Sequence, residues 1–190
     1  MLPADTFDID AAFHRVLPGG GDERLSSNGR LGVNDQIYLS VRTSTPTYLY
    51  VVNEDEKGVG YLLFPLPGAD MSKPVPARTA VRVPEDVNWQ VDAAGGKEHF
   101  IVFASTEKQP ALEEGFKRLP APRLGEGTPL PPGALEMFRS VGRLTPAAPR
   151  DKAGTHYRDL FTTPLAGPET VPRGVWWVRQ LTVENPGSRR

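Results

Sequence analysis

Eleven of the chain's twenty prolines fall between Thr106 and Pro172. Proline has no backbone N–H and a fixed φ. A stretch this dense in it supplies neither the ladder bonds of a central strand nor the interior of a helix. The packed core must come from the remainder, residues 1–105 and 173–185. Residues 106–172 are then an insert carried on that core. The whole chain of 190 residues has the length of one domain, which buries roughly 70% of its unfolded surface. Hydrophobic residues make up 38%, enough for one core with irregular stretches around it.

The core segments carry the period of strands. Gln36–Arg42 alternates strictly, with Ile37, Leu39 and Val41 on one face and Gln36, Tyr38, Ser40 and Arg42 on the other. That is the pattern of a half-buried strand. Thr47–Asn53 is apolar on both faces, as a central strand is. Tyr61–Phe64 is a short strand stopped by Pro65. Ala77–Val83 and Val87–Val91 are weaker strands around Pro84. Glu98–Ser105 is central, and Gly174–Glu184 closes the series. Asp5–Val16 reads as an edge strand. Seven or eight short strands with turns between them specify an all-β chain, mainly an antiparallel β-sandwich of Ig-like or Greek-key type.

Two short helices are expected inside the proline-rich insert. Pro110–Leu119 starts on proline and places Leu112, Phe116 and Leu119 on one face. Gly133–Val141 places Leu135, Phe138 and Val141 together. The remaining insert is expected to run over the sandwich surface without joining a sheet. Its apolar residues need a partner face, and the last strand, with Trp176 and Trp177, is the nearest in sequence.

Six segments in order carry a resemblance: Asn34–Val41, Pro46–Val51, Leu63-Phe64-Pro65, Val83-Pro84, Gly96-Lys97-Glu98 and Phe100–Ser105. Over roughly residues 30–112 the chain resembles the bacterial domain-of-unknown-function family 4384. Val33-Asn34 stands where that family usually has a glycine before Asp35. The resemblance implies a β-sandwich-like module. It also implies company: such modules often sit beside caspase-like proteases, serine/threonine kinases or secreted repeat domains. The family has no established catalytic residues, so none is carried over.

The residues themselves argue against most chemistry. There is no cysteine, which removes disulfides, thiol nucleophiles and thiolate metal sites. His14, His99 and His156 are far apart in sequence and lack a His-x-x-x-His spacing. The acidic runs Asp5/Asp8/Asp10 and Glu54/Asp55/Glu56 lack the spacing of a calcium loop. His99 and Ser105, six positions apart on one strand, are separated by about 20 Å, too far for a base and its nucleophile. No Gly-x-Ser-x-Gly elbow is present. Gly95-Gly96-Lys97 lacks the rest of a phosphate loop. No catalytic residue, cofactor or metal is therefore expected.

Binding is the remaining class. A formal net charge of −1 gives no general attraction to nucleic acid or to an anionic membrane. No apolar run reaches the ~18–20 residues of a membrane helix. Loops held by a rigid scaffold concentrate binding residues, and those at Asn53–Gly60 and Pro65–Pro76 form the expected partner-facing rim. Glu54, Asp55 and Lys57 are candidate contacts there. Trp176 and Trp177 point to opposite faces if both lie in a strand, so one is core and the other is covered or an interaction anchor. Arg24–Ser27 looks like a basophilic kinase target. Leu119–Pro122 and Leu130–Pro132 can form polyproline segments. The expectation is a non-enzymatic interaction module with a protein partner, by the resemblance a caspase-like protease or a kinase in a signalling or defence system. The alternatives are a small-ligand-binding or hydrolytic sandwich, or a cell-envelope component whose signal was removed. The opening MLPADTFDID has no basic or apolar leader region, so a cytoplasmic location is expected, with export and trimming as the alternative.

Overall fold

A computed structural model describes residues 5–56, 58, 60–65, 73–91, 96–110, 114, 128–129 and 157–186. Among them eleven strands form two sheets: β1 (Thr6–Val16), β2 (Asp22–Arg24), β3 (Gln36–Thr43), β4 (Tyr48–Glu54), β5 (Gly60–Phe64), β6 (Val81–Val83), β7 (Trp89–Gln90), β8 (Gly96–Ser105), β9 (Thr128–Pro129), β10 (Glu169–Pro172) and β11 (Trp177–Asn185). One short helix, α1, spans Tyr157–Leu160. The first sheet runs β10-β1-β3-β6, with β2 on β1 and β7 on β3; the second runs β11-β8-β4-β5-β9. All strand pairings are antiparallel. The chain is all-β over the described residues, apart from that helical turn and the helical residues Pro110 and Glu114.

The period-2 pattern fixes which face each strand buries. Phe7, Ile9, Ala11 and Phe13 of β1, with Ile37, Leu39 and Val41 of β3, form the inner face of the first sheet. Leu49 and Val51 of β4, Phe100, Val102 and Ala104 of β8, and Trp177, Leu181 and Val183 of β11 form the inner face of the second. The faces meet where the rings of Phe13 and Phe100 lie 5.0 Å apart. Burying side chains of this size contributes about 1.5–3 kcal/mol each, before the entropy of ordering them.

Two expectations are corrected. The segment around Asp5–Val16 is not an edge strand, because β1 is paired on both sides, with β3 on one and with β10 and β2 on the other. Asp8 and Asp10 sit on the outward face of this interior strand. Nor does the insert stay out of the sheets. Glu169–Pro172 pairs with Thr6–Ile9, and Thr128–Pro129 pairs with Tyr61 and Leu62. These are short edge additions, where a missing N–H is tolerated. The helices expected at Pro110–Leu119 and Gly133–Val141 lie almost wholly outside the described residues.

The insert also covers sheet edges, which bare would recruit other strands. β9 lies on β5. At the opposite edge the Leu165 N–H donates to the Gln180 carbonyl, and the Gln180 N–H donates to that of Thr163. Farther along β11, Asn28 N–H donates to Thr182 O, Leu31 N–H to Glu184 O, and Glu184 N–H to Gly29 O. Both edges of the second sheet are thus partnered, in part by the insert and in part by the 28–31 loop.

Candidate functional site

The two outer faces differ in chemistry. On the second sheet the outward residues Tyr50 and Val52 of β4, Leu62 of β5, and Ile101 and Phe103 of β8 are all buried. The segment after α1 covers part of this face. Phe161 is buried and stands edge-on to Phe103 at 5.1 Å. Trp176 also meets Phe103 edge-on, at 6.4 Å, and lies 6.1 Å from Tyr50. This face is a second apolar layer.

At one end of that layer sits Glu54, with 0% of its surface exposed. Arg158 of α1 places its Nε 3.6 Å from the Glu54 carboxylate. Its Nη1 donates to the backbone carbonyls of Asp55 and Glu56 at 3.2 and 3.0 Å. The β4–β5 loop and the end of the insert are thereby tied to one guanidinium. Beside them His99, which pairs across the ladder with Glu54, brings Nδ1 to 3.0 Å from Thr182 Oγ1 and 3.3 Å from Gln180 Nε2. Burial lowers its pKa, and the positive charges of Arg158 and Lys97 lower it further. Ser105 is buried at the far end of β8, and its hydroxyl accepts the N–H of Glu107. His99 and Ser105 have separate partners.

This geometry revises the candidate contacts. Glu54 and Trp177 are inside the protein, and a side chain without exposed surface presents nothing to a partner. Trp177 is 1% exposed, with the Arg179 guanidinium 5.3 Å from its ring centre. Asp55 is half-buried, and its carbonyl is committed to Arg158. Trp176 is half-buried against Phe103 and Tyr50, just before β11 begins. Lys57 lies outside the described residues, as does much of the expected rim at Pro65–Pro76.

The first sheet presents a different outer face: Asp8, Asp10, Ala12 and His14 of β1, Gln36, Tyr38, Ser40 and Arg42 of β3, and Arg82 of β6. Apart from the small Ala12, these side chains are half-buried or exposed. At one end His14 and Tyr38 stack at 5.1 Å and 9°, and the Arg82 guanidinium lies 4.3 Å from the Tyr38 ring centre. Asp22 accepts a hydrogen bond from the Tyr38 hydroxyl at 2.5 Å and lies 3.2 Å from His14 Nδ1. The Tyr38 bond, and then His14, hold the Asp22 carboxyl below its ordinary pKa; burial, with Asp22 next, raises that of Tyr38. Each group satisfies the other, and the Tyr38 ring carries His14 and Arg82. This end is a closed polar cluster.

The other end is open. A cleft of about 330 Å³ is lined by Asp8, Ile9, Asp10, Arg42, Thr43, Ser44, Arg78 and Pro168. Asp8 is engaged, its Oδ1 accepting from Thr170 Oγ1 at 2.7 Å. Asp10 and Arg42 stand directly across the β1–β3 ladder, yet they form no ion pair with each other. Asp10 Oδ1 is buried without a hydrogen-bond partner among the described residues. Arg78 has a left-handed φ of 64°, held by its N–H on the Thr43 carbonyl at 2.6 Å. In the sequence Asp8 and Asp10 stand out only as an acidic run without calcium-loop spacing, and Arg42 only as an outward position of its strand. Only the register of β1 on β3 brings Asp10 to Arg42.

Among the described residues no group of three or more acidic or histidine side chains is placed to hold a metal ion, and no helix is long and apolar enough to cross a membrane. Residues 30–108 match the family model described as a domain of unknown function, DUF4384. The match spans β3 through β8 and leaves β1, β10, β11 and the insert outside it. No curated protein and no solved structure matches the chain.

Proposed function

We propose that this DUF4384-matching sandwich is a non-enzymatic interaction module that binds a protein partner across the outer face of its first sheet. The observation that carries the reading is the asymmetry of the two outer faces. The second sheet's is apolar and built over, while the first sheet's is polar, lies at the surface and holds charged side chains unused within the fold. The strand order supports the architectural part. The sets β1-β3-β6 and β11-β8-β4-β5 follow the ABE and GFC arrangement of immunoglobulin-type sandwiches, which commonly serve as binding scaffolds. A caspase-like protease or a kinase is the partner class the resemblance suggests, and a signalling or defence role goes with it. The test is affinity capture from the source organism with the intact chain and with a Ser40→Arg variant, which places bulk and charge in the middle of the face. A stoichiometric protein partner retained by the wild type and lost by the variant is expected. A partner held equally by both would overturn the assignment of the face.

A further inference from the structure

We infer that the free edge of β6 pairs antiparallel with the β6 of a second copy of this chain, joining two first sheets across a two-fold axis. The sheet edges differ in what they offer. Both edges of the second sheet are partnered within the chain. At the β10 edge of the first sheet, the Arg173 N–H donates to the Asp5 carbonyl, and Val171 and Glu169 stand opposite Phe7 and Ile9. Backbone groups alternate in direction along a strand, so Glu169, Val171 and Arg173 bond to β1 while positions 168, 170 and 172 face outward. Pro168 and Pro172 have no N–H to give. That edge is blunted against strand addition. The β6 edge has no such guard. The Arg78 N–H donates to the Thr43 carbonyl, and Val81 and Val83 stand opposite Val41 and Leu39. By the same alternation Val81 and Val83 bond to β3, and the N–H and C=O of Ala80 and Arg82 face away from it. Among the described residues no strand pairs with that side.

The edge is complementary to itself. About a two-fold axis at Val81, Ala80 stands opposite Arg82 of the second copy, and each N–H meets a C=O. On the outer face the small Ala80 leaves room for the opposing arginine, and no arginine faces another. The Arg82 guanidinium is already held by the carbonyls of Pro84 and Val87 and by the Tyr38 ring. At the axis Val81 meets its copy on the core side. The flanking charges fit the same pairing. Arg78 precedes β6 and Glu85 and Asp86 follow it; all are exposed, and none forms an ion pair among the described residues. An antiparallel partner brings the basic end of one strand to the acidic end of the other, whereas a parallel one would set like against like. Val87, 49% exposed, lies in the loop just beyond. The edge is short, so the dimer is expected to be weak. It adjoins the proposed partner face and does not depend on it.

The chain has no cysteine, so a single introduced one reports its own contacts. Val81→Cys would face itself in a non-hydrogen-bonded pair, with Cα atoms about 4.5 Å apart, within disulfide range. Under mild oxidation it should form an intermolecular disulfide about tenfold faster than Thr170→Cys at the proline-guarded edge. Sedimentation equilibrium of the full wild-type chain should show reversible association of monomer to dimer. Ala80→Pro removes an outward N–H and no ladder bond, and should weaken the dimer about tenfold. Arg78→Glu should weaken it as well, and adding Glu85→Arg and Asp86→Arg should restore it. A wild type that stays monomeric at every concentration, a dimer indifferent to Ala80→Pro, or crosslinking no faster at position 81 than at 170 would overturn the inference. If Ala80→Pro does not fold, the charge exchange and the crosslinking rates decide in its place.

Discussion

The carboxylate of Glu54, without exposed surface, lies 3.6 Å from the Arg158 guanidinium, so a core strand and the end of the insert share one buried charge contact. Removing one side of such a contact costs more than the contact contributes, because the remaining charge stays in a poorly solvated site. Arg158→Met should lower unfolding free energy by about 2–3 kcal/mol in urea. Arg158→Met combined with Glu54→Gln should recover part of it. A loss below a few tenths of a kcal/mol would show that Arg158 is a surface ornament.

The apolar layer outside the second sheet makes the segment after α1 structural. Phe161→Ala removes a buried ring from Phe103 and should cost about 3 kcal/mol. Replacing Gln109–Ala166 by a short flexible linker removes the same cover together with β9, and the product should aggregate or melt well below the wild type. A monomeric deletion variant of unchanged stability would mean that the cover is dispensable.

Gly96 opens β8 with φ +82°, and a Cβ there would come within 1.6 Å of Glu56 Oε2. The carboxylate can swing aside, but the backbone cannot avoid the left-handed region. Gly96→Ala should therefore cost about 1–2 kcal/mol. Within the core, Val102→Asp should unfold the chain, since an unpaired buried charge rivals a total stability of about 5–15 kcal/mol. A soluble, cooperatively melting Val102→Asp variant would contradict the placement of β8.

His99 gives the fold a pH dependence of known sign. Its folded pKa is lowered by burial and by Arg158 and Lys97. Above the unfolded value of about 6.5 both states are neutral and nothing is lost. As pH falls below that value the unfolded chain takes up a proton that the folded chain resists, so stability declines. His99→Gln should flatten this decline in denaturant midpoints measured between pH 7 and 5. Asp22, also lowered, acts in a different window, losing its contribution only as pH falls past the ordinary carboxylate range. An unchanged slope in His99→Gln would show that His99 does not carry the effect.

Much of the fold was legible because alternation and burial coincide. Ile37, Leu39 and Val41 were placed inward from spacing alone, and they are buried. The edge expected at Asp5–Val16 fails because the partner along its first half, Glu169–Pro172, comes from far along the chain. β10 was hidden because Glu169–Pro172 has proline at its end and just before its start, and only its partner Thr6–Ile9 makes it a strand. Glu54 looked like a loop charge because nothing local announces Arg158, which arrives from the far side of the insert. The cleft was illegible for the same reason, since Asp10 meets Arg42 through ladder register. The resemblance covering β3 to β8 anticipated the family match and could not reach these outer elements.

The measurement that bears most directly on the account is photo-crosslinking of the intact chain in its source organism. A photoreactive residue replaces either Ser40, in the middle of the first sheet's outer face, or Thr162, on the exposed segment after α1. A single protein crosslinked from position 40 and absent from position 162 is the expected result. The same protein crosslinked from position 162 and not from position 40 would contradict the account, and would move the interaction surface to the insert.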